Sequence, residues 1–224
     1  MATRLTNIAE FKDLLHEEQI GGKAQKSAID AAMVLTNEIQ YNRIQNGFVT
    51  SALFLDIKNA YGRVSEVQFL RVCQKLGLPI SLCFWFQSFL NDRTIQLVFD
   101  GEIQPKTSVN AGIPQGSPIS PMMFLIYIRY IFEELDILNV KIRKPNYVDD
   151  MSLITSSKSI KTNCEILKHA AEKLIQAGYQ QKVDFDADKT ELIHFHTKRH
   201  LDEQGISLDF GTEIKEIMPQ EKVK

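Results

Sequence analysis

Apolar positions along this chain fall into two periodicities. Residues 7–18 and 24–45 carry helical spacing, and in the second stretch Ile29, Ala32, Met33, Leu35, Thr36 and Ile39 fall mainly on one face. FVTSALFLDI (48–57) is a nearly continuous apolar run and predicts a buried strand that ends at Asp56. Residues 66–76 and 80–90 predict two short helices separated by Gly77 and Pro79. RTIQLVFDG (93–101) alternates and stops at Asp-Gly, a hairpin signal. The loop AGIPQGSPISP leads into a strongly apolar helix at about 121–135. KPNYVDDMSLIT (144–155) predicts two short strands with Asp149 and Asp150 at the bend. A further amphipathic helix is predicted over 159–177 and a strand over ELIHFH (191–196). This order implies an α+β domain, an antiparallel-type sheet covered on one face by helices.

Composition narrows the picture. With 224 residues, 44% of them hydrophobic, the chain can bury one sizeable core. A net charge of -2 argues against a generic nucleic-acid-binding surface, so any nucleic-acid contact must use a local cleft. Cys73, Cys83 and Cys164 are odd in number and widely spaced, which argues against a zinc site or a disulfide framework and for a reducing compartment. The N-terminal stretch has no continuous apolar core of a secretory signal. The longest apolar run, around MMFLIYIRYIF, is interrupted by Arg129 and too short to span a bilayer. The expectation is an intracellular protein without a membrane partner.

Two features carry candidate chemistry. Asp56 ends a buried strand, and Asp149-Asp150 sits in an apolar-flanked hairpin. Burying unpaired carboxylates is costly, and a bound cation would offset that cost. Three carboxylates from two neighbouring strands suit two Mg²⁺ ions about 4 Å apart, an arrangement that serves phosphoryl transfer. A plain solvated Asp-Asp turn is the competing reading. In PQGSP (114–118), Ser117 or Ser120 can cap the following helix, with Pro118 or Pro121 at its first position. Gly116 would let a base or template strand approach the backbone; a simple helix start explains the same residues.

Taken together, these stretches resemble the ordered motifs of reverse transcriptases of the non-LTR retrotransposon (LINE-type, fungal-like) class. ALFLDIKNAYGRVS (52–65) resembles the first palm motif, AGIPQGSPISPMMF (111–124) the second, and YVDDMSLI (147–154) the Y-x-D-D motif. FDADKTELIHF (185–195) resembles the next motif, with its lysine, and QIGGKAQKSAIDAA (19–32) a fingers segment. MATRLT (1–6) and ISLDFGTEIKEI (206–217) resemble flanking stretches of such elements.

The resemblance implies a right-hand polymerase fingers-palm, with partial fingers over 1–49, palm over 50–200 including finger elements at about 66–112, and truncated strands over 201–224. It also implies that the chain is cut short at both ends and lacks a thumb. The implied activity is RNA-directed DNA polymerisation, with an RNA template, a DNA primer and deoxynucleoside triphosphates as partners. Asp56, Asp149 and Asp150 would bind two Mg²⁺, with Mn²⁺ as a substitute. Tyr61 would be the steric gate against a ribose 2′-hydroxyl, and Gln115 and Gly116 would line the nascent pair. Lys189 would act near the triphosphate as an acid; a surface lysine in a turn is the alternative. Lys23 and Lys26, standing where the family usually has arginines, would contact the triphosphate as point charges.

The chain departs from the family pattern at Tyr61-Gly62, where Phe-Asp is common, and at Val148, where Ala is common. A fingers-palm piece has little to hold a primer-template duplex, so weak or absent activity is expected of it alone. A non-catalytic, decayed palm that binds RNA or a partner is the alternative. A Mg²⁺ nuclease or cyclase is a third reading, against which the GIPQGSP and Lys189 segments argue. The implied compartment is the nucleus or cytoplasm, with the mitochondrion left open.

Overall fold

The structure, a computed structural model, describes residues 1–196, 207–208 and 216–220. It divides into two compact units. Unit 1 contains Met1–Leu14 and Asn59–Ile128; unit 2 contains Leu15–Lys58 and Arg129–Lys224.

Unit 2 is built on a four-stranded antiparallel sheet. Its strands are β1 (Val49–Asp56), β6 (Asn146–Tyr147), β7 (Asp150–Ser157) and β8 (Glu191–Phe195), in the order β6-β7-β1-β8. β1 lies between β7 and β8, which explains its near-continuous apolar sequence: Ala52 and Leu53 are fully buried. Helix α6 (Ile160–Gln180) packs on β1 and β7. Ser159 caps it by accepting from the Thr162 N–H at 3.1 Å. Ile160, Cys164, Leu167, Ala171 and Leu174 repeat at three- and four-residue spacing and form its buried stripe. Asn163, buried within that stripe, donates to the Val49 carbonyl at 2.9 Å and to Ser51 Oγ at 3.0 Å, so one amide pins the helix to the strand. Gly178 permits the helix end to close on the following segment, because a Cβ there would lie 2.8 Å from both Phe185 and the Val183 carbonyl.

Helix α2 (Ala28–Tyr41) starts at a Ser27–Asp30 capping box, in which Asp30 accepts the Ser27 N–H at 2.7 Å. It passes into a π-helical turn over Asn42–Asn46 that ends at Gly47, φ 62°. Its apolar face is not part of the core: no α2 residue is buried, and Ile29 and Met33 are 71% and 54% exposed.

Unit 1 contains α1 (Ala2–Phe11), α3 (Glu66–Lys75), α4 (Ile80–Leu90), and the short strands β2 (Arg93–Ile95), β3 (Val98–Phe99), β4 (Glu102–Ile103) and β5 (Thr107–Val109). α3 packs on α4 with Phe69 edge-on to Phe86, ring centroids 5.0 Å apart. The Asp-Gly signal marks the β3–β4 hairpin, whose central residues Asp100 and Gly101 have φ 48° and 80°, as a type I′ turn requires. Helix α1 ends earlier than its spacing predicts. Asp13 turns into left-handed backbone at φ 51° and the Leu14 N–H closes back on the Ala9 carbonyl at 2.8 Å.

Helix α5 (Ser120–Asp136) carries the chain from one unit into the other, with Met123 through Ile128 fully buried. Pro121 sits in its first turn, and Ser120 Oγ donates to the Pro114 carbonyl at 2.7 Å. The three cysteines are free and buried. Most of the expected C-terminal strands over 201–224 lie outside the described residues; Leu208 bridges Ile217 and Leu192 bridges Pro219. No helix of the described residues is long and apolar enough to cross a membrane.

Candidate active site

The antiparallel register of β1 and β7 places Asp56 directly opposite Asp150. Directly opposed residues project from the same face with Cβ atoms about 5 Å apart, so two carboxylates share one spot at the end of the strand pair. Asp149 precedes Asp150 in the turn. Burial first, then the charges of Asp149 and Asp56, push the Asp150 carboxyl above the usual carboxylate range, with Lys189 pulling the other way. Lys189 lies on the short 3₁₀ turn Ala187–Lys189 before β8 and places its Nζ 2.9 Å from Asp56 Oδ2. The hydrogen bond to Asp56, and then the Asp56 charge, raise the Lys189 ammonium above the usual lysine value. Asp56, Asp150 and Lys189 line a cavity of about 620 Å³ together with Phe54, Met151, Asp188 and Glu191.

This donor set fits a hard cation. It offers carboxylate oxygens only, its members repel one another, and it has already drawn in an ammonium. Among the described residues no three Asp, Glu, His or Cys side chains converge as a ready metal cage. The expected three-carboxylate cluster is therefore a facing pair, Asp56 and Asp150, with Asp149 beside it. The physical reason is that Asp149 belongs to the turn, outside the paired register of the strands.

The turn is unusual. Val148 has φ 61°, left-handed backbone that a β-branched residue adopts only under constraint, at a cost of order 1–3 kcal/mol. Asn146, a fully buried residue that sequence reasoning did not single out, donates its side-chain amide to the carbonyls of Val148 (3.1 Å) and Asp150 (3.0 Å). An asparagine just before a Y-x-D-D stretch was the available signal.

Lys23 and Lys26 are not brought to the carboxylates. They line a separate cavity of about 700 Å³ with Glu17, Asp30, Met33 and Arg143, and Lys23 Nζ donates to the carbonyls of His16 (2.7 Å) and Glu17 (3.2 Å). A chain of ion pairs borders this cavity. Glu18 receives Arg143 Nε at 2.5 Å and the Lys144 N–H at 2.8 Å; Lys144 Nζ meets Asp136 at 2.5 Å; His16 Nε2 meets the same carboxylate at 2.8 Å and stacks on Phe132. Burial pushes the Asp136 carboxyl up, but the bonds from Lys144 and His16 outweigh it and hold the group below its ordinary value.

Tyr61, Gln115 and Gly116 belong to unit 1. The half-buried Tyr61 ring stacks on Phe124 at 5.3 Å between centroids. The loop that carries Gln115 is tied to this segment: the Ile113 N–H donates to the Tyr61 carbonyl at 2.8 Å and the Gly112 N–H to that of Val64 at 2.9 Å. Gly112 must lack a side chain, because a Cβ would meet the Gly62 carbonyl at 2.8 Å. Gln115 is exposed. Gly116 is demanded by its φ of 87°, with open space where a Cβ would stand.

Comparison with known proteins bears on the family and the fold. The probable RNA-directed DNA polymerase from transposon X-element of Drosophila melanogaster is 23% identical over 89% of this chain and 22% of its own length. The RNA-directed DNA polymerase from mobile element jockey of the same species is 29% identical over 86% of this chain and 21% of its own. The chain thus spans about a fifth of the length of these curated relatives, both of the non-LTR type. Among solved structures, apo telomerase from Candida Tropicalis superposes with a TM-score of 0.65 at 15% identity, over 93% of this chain and 36% of that one, a likeness of fold. The model of the family "Reverse transcriptase (RNA-dependent DNA polymerase)" matches residues 1–223, and the chain belongs to that family.

Proposed function

We propose that this chain extends a DNA primer on an RNA template, by nucleotidyl transfer from deoxynucleoside triphosphates at the Asp56–Asp150 cavity. The observation that carries this reading is the facing of the two carboxylates across β1 and β7, beside a cationic Lys189. Asp56, Asp150 and the adjoining Asp149 are the residues that would hold divalent ions. Two Mg²⁺ ions bound there, or Mn²⁺ in their place, would supply neutralisation of phosphate charge and an acidified primer hydroxyl.

The chain's own residues do the rest by position and charge. Lys189, kept protonated by its bond to Asp56, carries a proton toward the leaving pyrophosphate oxygen. Tyr61, its ring steadied on Phe124, excludes a ribose 2′-hydroxyl. Gln115 and Gly116, on an open loop whose base is hydrogen-bonded to the Tyr61 segment, line the nascent base pair. Lys23 and Lys26, which face the other cavity, are left out of this step.

The test is extension of a labelled DNA primer on an RNA template with Mg²⁺ and deoxynucleotides, with Asp149→Asn, Asp150→Asn run beside the wild type. Extension that falls by at least ~100-fold in the double variant supports the reading. Equal extension by both proteins contradicts the carboxylate roles. A folded wild type that extends nothing contradicts polymerase activity of this chain by itself and favours a palm that binds RNA or a partner without catalysis.

A further inference from the structure

We infer that Asn146 and Gly21 form a lock that sets the Val148–Asp150 turn, making Asn146 a positioning residue for the carboxylates; the functional part of this inference rests on the reading proposed above. The turn needs a lock because its backbone is unfavourable on its own: Val148 sits at φ 61° without being glycine, asparagine or aspartate. Asn146 supplies one half. Its amide nitrogen has two hydrogens, and it spends them on the Val148 carbonyl at 3.1 Å and the Asp150 carbonyl at 3.0 Å. Both bonds are part-buried and start from a fully buried side chain, whose donors would be costly to leave unmet. No other side chain of this size offers two neutral donors from one atom. Aspartate has the same shape but would set oxygen against oxygen at both contacts.

Gly21 supplies the other half. The segment before it is held to the same asparagine through the main chain: the Asn146 N–H donates to the Glu18 carbonyl at 3.0 Å, and the Asn146 carbonyl accepts from Ile20 at 2.9 Å and Gly21 at 3.2 Å. This brings the Gly21 backbone flat against the turn. A Cβ at position 21 would lie 2.6 Å from the Val148 nitrogen and 3.0 Å from the Tyr147 carbonyl carbon, both backbone atoms that cannot swing away. The segment cannot slide to make room, because the Glu18 carboxylate is clamped by Arg143 and the Lys144 N–H. The turn is thus bonded from below by Asn146 and walled by Gly21, and Asp150 begins β7 directly opposite Asp56 as a result.

Hydrogen exchange of the Asp150, Met151 and Ser152 amides tests the lock without reference to activity, in the wild type, Asn146→Asp and Gly21→Ala. Mn²⁺ affinity, read by paramagnetic resonance, tests its consequence. The expected result is exchange ~10-fold or more faster in both variants, with the α6 amides unchanged, and Mn²⁺ binding weakened ~10-fold. Gly21→Ala leaves every Asn146 donor in place, so it keeps the test decisive where Asn146→Asp fails to fold. Exchange within about twofold of wild type in the folded variants overturns the lock. A loosened turn with unchanged Mn²⁺ affinity overturns the positioning role. A wild type that binds no Mn²⁺ also overturns the positioning role, and it sinks the functional reading as well, while the exchange rates still decide whether the turn is locked.

Discussion

Lys189 and Asp56 make an ion pair that is largely exposed, the lysine at 64%, and such pairs add little to stability. The role of the pair is electrostatic. Lys189 lowers the Asp150 carboxyl against the upward push of burial, Asp149 and Asp56. Lys189→Met is therefore predicted to leave the melting temperature nearly unchanged and to move the Asp150 titration to higher pH, as read by carboxyl carbon NMR. A carboxyl raised above its unfolded value destabilises the fold when ionised, so its cost is absent below the ordinary carboxylate range, about pH 4, and present once the pH exceeds the raised value. Asp150→Asn should therefore stabilise the protein at neutral pH, by less than about 1 kcal/mol given its exposure, and do nothing at pH 3. Unfolding curves at the two pH values check this. A variant that is less stable at neutral pH would contradict the repulsion assigned to the cluster. The three cysteines behave oppositely to reactive thiols: burial pushes Cys164 up to about 11, so alkylation of the native protein at pH 8 should be slow.

At the scale of elements, what the sequence made legible follows the strength of local signals. The run ending at Asp56, the Asp-Gly hairpin and the glycine-separated helices α3 and α4 all appear near their expected places. Each is set by neighbours in sequence: an unbroken apolar run, positive-φ turn residues, a Gly-Pro break. The end of α1 was not legible, because Leu14 and Leu15 continue the helical spacing past the left-handed Asp13 that stops the helix. The exposure of the apolar face of α2 was not legible either, since periodicity shows a face without showing what covers it. Nor was the opposition of Asp56 to Asp150, since register arises from cross-strand pairing. The segment after α1 is held instead by Glu18, whose side chain is 9% exposed and meets Arg143 and Lys144. Glu18→Ala leaves the buried Lys144 N–H without its acceptor, so it is predicted to cost about 2 kcal/mol in denaturant unfolding. A loss below about 0.5 kcal/mol would show that bond to add little. Asp136, held low by Lys144 and His16, contributes stability above the unfolded carboxylate value, and that share disappears as the pH falls through its lowered one.

For the whole molecule, the family match over residues 1–223 and the fold likeness to telomerase agree with an α+β polymerase fold. The chain's negative net charge fits a site that works through a local cavity. Asp56 and Asp150, facing across β1 and β7, are proposed to bind divalent cations together. Joint binding is tested most directly by titrating the wild type, Asp56→Asn and Asp150→Asn with Mn²⁺ and following bound metal by paramagnetic resonance. Mn²⁺ affinity is expected to fall at least ~10-fold, about 1.4 kcal/mol, in either variant. Mn²⁺ bound equally by all three proteins would contradict joint binding.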